Sequence, residues 1–209
     1  MAMPPYDYDA LKARLEHLDE RRQLAFGAVC CERLLLNYEA FSRDAGWGDV
    51  APLRHALDRI WDYVGGAALA EKEAGAALAA CEVVVPHSED HTSLYVTAAQ
   101  DACFAVCALY DFVLAPQSAR IADVTRFATD SVDLYVQETE QMRPDDPQLE
   151  QKIAEHKLMQ RELAQQERDL NAISALPSVD PAFLVALRNS WPHPGKSNLD
   201  LLEHDSQSF

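Results

Sequence analysis

Glu32 and Arg33 stand side by side in CCERLLLNYEAF, a stretch from Cys30 to Phe41 otherwise dominated by apolar helix formers. At 100° per residue, Arg33 shares one side of a helix with Phe26, Cys30 and Asn37, while Tyr38 falls with Leu24, Cys31 and Leu35. Asp101 sits in equally apolar surroundings, VTAAQDACFAV. Paired carboxylates beside an arginine can bind a ligand or support acid–base chemistry. Glu32, Arg33, Asn37, Tyr38 and Asp101 are therefore the candidate polar site. The competing reading is structural. A lone buried charge is very costly, so Arg33 must find a partner, and the economical one is Asp101 across two central helices. No histidine, serine or lysine at diagnostic spacing completes a catalytic set, so no residue is assigned as catalytic.

Other chemistry-bearing residues have plainer explanations. Cys103 and Cys107 have the i, i+4 spacing of a chelating pair, but their neighbours Phe104, Val106 and Leu109 mark them as small core residues. There is no CxxC, no second His/Cys pair and no Glu-x-x-His repeat, so neither a metal nor a cofactor is expected. Adjacent Cys30 and Cys31 point to different sides of a helix and cannot form a redox pair. PHSEDH, holding His87, Glu89, Asp90 and His91, reads as a solvated linker. GKSN at 195–198 echoes a phosphate loop only superficially, because position 190 is Ser and no strand precedes it.

The elements that must position these residues are helical. Apolar residues recur at helical spacing nearly everywhere, and no convincing alternating strand appears. Helices are expected over about 7–17, 19–44, 49–64, 69–84, 92–114, 118–142 and 147–175, with a short eighth from 181. Asp19 is an N-cap, Gly46 a left-handed C-cap, Asp49 a cap for the third helix, and Gly65-Gly66 the stop of that helix. Asp146-Pro147 and Asp180-Pro181 read as caps followed by proline at the first helical position. The second and fifth helices are apolar almost all round, which places them at the centre of a bundle. The seventh, with a narrow apolar stripe and a broad charged face, belongs outside. The fold class is thus all-α: a single-domain bundle of about seven or eight helices over 1–190. From Trp191 an extended segment runs into a polar tail.

The 209 residues carry 18 Lys+Arg against 34 Asp+Glu, a formal net charge of -16. Such a surface repels phosphate backbones and anionic membranes, so neither is an expected partner. It would attract a basic protein or a cation, although acidity also simply keeps a soluble protein in solution. Five cysteines, an odd number inside helical patterns, fit reduced thiols in a cytoplasm. The start, MAMPPYDYDALKARLEH, has neither basic nor apolar signal-peptide regions. The most apolar stretch, around DACFAVCALYDFVL, is interrupted by Asp101 and Asp111 and reads as too short and too polar for a membrane span.

The long run LEHLDERRQLAFGAVCCERLLLNYEAFSRDAGWGD, followed by LRHALDRIWDYV, resembles the YjaG-like bacterial family, domain of unknown function 416. LYVTAAQDACFAV, ERDL at 167–170 and GKSNLDLL at 195–202 continue the resemblance from about Leu15 to Leu202. The family pattern falls on Cys31, Glu32, Arg33, Asn37, Tyr38, Gly48, Asp49, Trp61, Asp101, Ala102, Cys103, Gly195, Ser197 and Asn198. The resemblance implies a compact, all-helical bacterial cytoplasmic protein and no assigned activity.

Two functional expectations follow. The first is a non-enzymatic interaction protein: an immunity or antidote protein that neutralises a basic effector, or a homodimer whose outer helices pair. The alternative is a small-molecule binder or enzyme with a polar site around Glu32, Arg33 and Asp101.

Overall fold

A computed structural model describes residues 6–175 and 180–202. Nine α-helices and one 3-10 turn make up the regular structure among them, with no strand. In chain order they are α1 (Tyr8–Leu15), α2 (Glu20–Ala45), α3 (Ala51–Val64), α4 (Glu71–Val83), α5 (Val96–Leu114), α6 (Ser118–Thr139), α7 (Leu149–Glu155), α8 (Lys157–Ser174) and α9 (Pro181–Arg188). The all-α expectation holds, as does the central place of the second and fifth helices. α2 packs against α3, α5, α6, α8 and α9, and α5 lies between α2, α4 and α6.

Local signals explain most boundaries. The Asp19 carboxylate accepts from the Arg22 amide, and Asp180 from the Phe183 amide, each satisfying an orphan donor of the first turn. Gly46 ends α2 in the left-handed conformation. Asp49 accepts from the Ala51 amide, although the cap position of α3 belongs to Val50. Gly27 permits the closest helix contact. A Cβ there would lie 2.6 Å from Leu109 Cδ2 on α5 and 3.2 Å from Ile121 Cδ1 on α6.

Four expectations need correction. The single helix over 147–175 is two, α7 and α8, because His156 is extended and its Nδ1 accepts from the Leu158 amide as an N-cap. Asp146-Pro147 forms a turn ahead of α7 rather than its first turn, since the cap position is Gln148. α8 keeps an exposed face with Arg168 and Asn171 but buries more than the expected narrow apolar stripe: Glu162, Gln165, Gln166 and Asp169 are buried along it beside Leu158 and Leu170. Finally, α5 at 19 residues is long and apolar enough to cross a membrane by composition, contrary to the expectation that it is too short and polar. Its apolarity has a packing cause, since Ala99, Ala102, Cys103, Val106 and Leu109 are fully buried against neighbouring helices.

The chain after α9 is a packed element. Ser197, Asn198 and Leu199 are buried, with Leu199 joining a second small core formed with Val132, Val136, Ile153, Leu158 and Leu163. The Ser197 hydroxyl accepts from the Leu199 and Leu201 amides, and an isolated antiparallel bridge links Lys196 to Leu202. Residues 203–209, the end of the expected polar tail, lie outside the described residues.

Candidate functional site

The five candidate residues do not converge. Arg33 points from α2 into α8, and its guanidinium forks onto Glu162 with Nε–Oε2 at 2.9 Å and Nη2–Oε1 at 2.7 Å. Nη1 lies 3.4 Å from Asp169 Oδ2 and donates to the Val29 carbonyl. Amides close the network: Gln166 donates to Glu162 and to the Thr125 carbonyl, while Gln165 and the Ser190 hydroxyl donate to Asp169. Burial opposes the charge on Arg33, and the neighbouring acidic groups outweigh it, holding the guanidinium ionised. Burial also pushes Asp169 up, against the pull of Arg33.

The expected Arg33–Asp101 pair therefore does not form. Asp101 faces α6, where the Ser131 hydroxyl donates to Oδ2 at 2.8 Å. Burial raises its pKa to about 7. The physical reason is angular. Arg33 leaves α2 on the side that α8 covers, while Asp101 leaves α5 on the seam with α6.

The other three serve packing and tethering. Asn37 Nδ2 donates to Asn198 Oδ1, and Asn198 Nδ2 donates to the Ala128 carbonyl, so one amide pair ties α2 and α6 to the C-terminal segment. The Tyr38 hydroxyl donates to the Val84 carbonyl at 2.8 Å, and burial raises its pKa to about 12. Gly48, at φ +90°, passes so close that a Cβ would lie 2.6 Å from that hydroxyl. Glu32 accepts from Arg54 at 2.6 Å and from Trp61 Nε1 at 2.7 Å, and pairs with Arg188 at 2.8 Å. Arg54 and Arg188 also hold Asp58, completing a ring of two arginines and two carboxylates that joins α2, α3 and α9.

Of the candidates, Glu32 and Arg33 reach an open cavity. A cleft of about 510 Å³ runs beside α2, with Leu35 and Leu36 on its floor. Arg54, Arg188, Trp191, Pro194 and Lys196 also line it. The Arg33 and Arg161 guanidinium groups lie over the Trp191 ring, at 5.6 and 5.3 Å from its centroid. No cysteine, histidine, serine, threonine or tyrosine among the described residues lines this cleft. The thiols are free, and four of the five are buried. Burial pushes the Cys30 thiol up to about 12, away from nucleophilic use. No group of three or more His, Cys, Asp or Glu side chains among the described residues is placed to hold a metal.

Sequence reasoning missed Glu162, Gln165 and Asp169, although a signal exists. Leu158, Glu162, Gln165, Asp169 and Ile173 advance in steps of three and four, a core stripe with polar residues in its middle. It also missed Arg188 and Trp191, whose role depends on how the chain after α8 folds back.

Residues 10–201 match the family model described as a protein of unknown function, DUF416. The chain belongs to the DUF416 family. Among its relatives is the uncharacterised protein YjaG of Escherichia coli K12, 25% identical over 194 residues, spanning 90% of this chain and 94% of that one. An uncharacterised Haemophilus influenzae protein is 25% identical over 197 residues, covering 91% and 96% respectively. The DUF416 fold is also seen in the crystal structure of a family protein from Shewanella baltica OS155, with TM-score 0.82 and 23% identity over 91% of this chain and 97% of that one. The motif residues of the DUF416 chain have structural work: Glu32 with Trp61, Asn37 with Asn198, and Tyr38 against Gly48.

Proposed function

We propose that this DUF416 protein is a non-enzymatic interaction protein of the cytoplasm whose cleft along α2 receives a segment of a partner protein. The observation that supports this most is the chemistry of the cleft lining. Leu35, Leu36 and Trp191 give the lining apolar side chains, and Arg54, Arg188 and Lys196 with Glu32 and Glu39 give it charged ones. Apolar centres with polar rims, and tryptophan and arginine anchors, are the usual anatomy of protein interfaces. Arg54 and Arg188 in the lining are held by Glu32 and Asp58. An antidote role against a basic effector and a homodimer are the two concrete forms of this reading.

The experiment is co-purification of the native protein and its Leu36→Asp variant from the host, followed by cross-linking mass spectrometry. The reading expects one protein recovered in stoichiometric amount, cross-linked near Lys196, and lost with the variant. Recovery of the monomer alone by both proteins would overturn it. The runner-up, a small-molecule binder, draws on the cleft volume, which lies within the ~300–1,000 Å³ of ligand pockets. Native mass spectrometry showing a bound small molecule that Leu36→Asp abolishes would favour it.

A further inference from the structure

A second surface lies on the α5–α6 seam and shares no residue with the α2 cleft. Phe104 lines it from α5 and Phe127 and Leu134 from α6, with Asp101 and Ser131 largely buried along the seam. The Phe104 and Phe127 rings meet at 5.8 Å, and the Ser131 hydroxyl bonds both Asp101 and the Phe127 carbonyl. Phe104 is 41% exposed and Leu134 44%, although each stands beside core positions of its helix. Between them lies a carboxylate only 7% exposed, with a neutral hydroxyl as its donor and no ion pair among the described residues. Among the neighbouring charges Arg126 attracts Asp101, but no ion pair joins the two among the described residues. Arg126 is paired to Asp123 and lies over the Phe127 ring, and Asp130 has the same sign as Asp101.

We propose that this seam is a docking surface for a basic helix of another protein, which seats a lysine or arginine on the Asp101 carboxylate beside the two phenyl rings. Three properties select that occupant. A buried carboxylate short of a counter-charge is stabilised by a cation delivered from outside. A lysine or arginine covers apolar surface with its stem while placing its charge at the tip, matching the rings around Asp101. The exposed Phe104 and Leu134 offer apolar contact to the apolar face of a third helix, and a net charge of -16 steers basic partners toward it. A second copy of this chain fits poorly, because face-to-face pairing sets Asp101 and Asp130 against their own equivalents.

The test uses a synthetic amphipathic peptide of leucine and lysine, roughly 18 residues long so that it holds a helix. A matched peptide with glutamate in place of lysine is the control. Amide NMR shifts map each on the full-length protein. The expected result is lysine-peptide shifts centred on residues 101, 104, 127, 131 and 134, none from the glutamate peptide, and affinity weakened about tenfold or more by Asp101→Asn. Asp101→Asn keeps the shape and the Ser131 contact, and Phe104→Ser provides an independent variant with the same expected loss. Shifts spread over other acidic surface, no binding, or unchanged affinity in both variants would overturn the proposal. Shifts centred on Leu36 and Trp191 would instead support the α2 cleft and sink the seam. A dimer of the free protein broken by Phe104→Glu would assign the seam to a second copy and also overturn it.

Discussion

Arg33 and Glu162, 129 residues apart in sequence, meet as a two-pronged ion pair with side chains 1% and 0% exposed. The pair joins the central helix α2 to α8, and Asp169 gives it a second carboxylate. Such a pair is weak evidence for net stability, since desolvation consumes much of the Coulombic gain, but breaking it is expensive.

Removing the cation tests that asymmetry. Arg33→Met strands Glu162 and Asp169 in the interior, and we expect a loss of about 3–5 kcal/mol in urea unfolding. Adding Glu162→Leu and Asp169→Leu should recover a large part of it. A single-variant loss under about 1 kcal/mol would show the network to be dispensable.

Asp101 links stability to pH. Its folded pKa of about 7 lies above the ordinary carboxylate value of about 3.9, so the native state binds the proton more tightly than the unfolded chain. Stability from this group is therefore full below about pH 4 and falls as pH rises to about 7. Asp101→Asn removes the titration. The difference in stability between variant and native protein should grow in favour of the variant from pH 4 to pH 8, by an amount on the order of 3 kcal/mol. A pH-independent difference in denaturation midpoints would contradict the burial of this carboxylate.

The segment after α9 behaves as part of the core. Asn198→Ala leaves the Ala128 carbonyl without its side-chain donor and removes the acceptor of Asn37 Nδ2. Each buried group so stranded costs about 1–3 kcal/mol. Truncation before Gly195 should go further, exposing Leu158 and Leu163 and lowering the melting temperature cooperatively. A truncated chain that melts like the intact one would return this segment to the status of a tail.

Gly48→Ala is expected to destabilise by about 1–3 kcal/mol, from its positive φ and from collision with the Tyr38 ring. Tyr38→Phe alone should cost about 1 kcal/mol through the lost bond to Val84. In the Tyr38→Phe background the added cost of Gly48→Ala should shrink without vanishing, because the backbone strain persists. A thermal melt of all four proteins closes the cycle. Strictly additive costs would mean that the glycine and the tyrosine do not meet.

Most helices, several of their stops and the burial of α2 and α5 follow from local rules, and these were legible. Asp19, Gly46 and Asp180 act where capping chemistry requires them, and the all-round apolarity of α2 and α5 marks the centre of the bundle. Legibility failed where a residue's partner is distant. Asp101 is buried as its neighbours require, yet it bonds Ser131 rather than Arg33, since the direction in which each helix faces its neighbours is set by packing. Glu162 and Asp169 looked like part of a solvated face because charge is usually exposed, and only Arg33 arriving from α2 makes their burial tolerable.

By itself the sequence determined a helical, acidic chain with a charged residue trapped in its central helix, because periodicity, capping and charge count are properties of neighbouring residues. The tertiary structure alone decided which carboxylates neutralise Arg33, that Trp191 lies against its guanidinium, and that Glu32 opens onto a cleft. Those outcomes depend on the relative rotation of helices far apart in the chain, which no local spacing encodes.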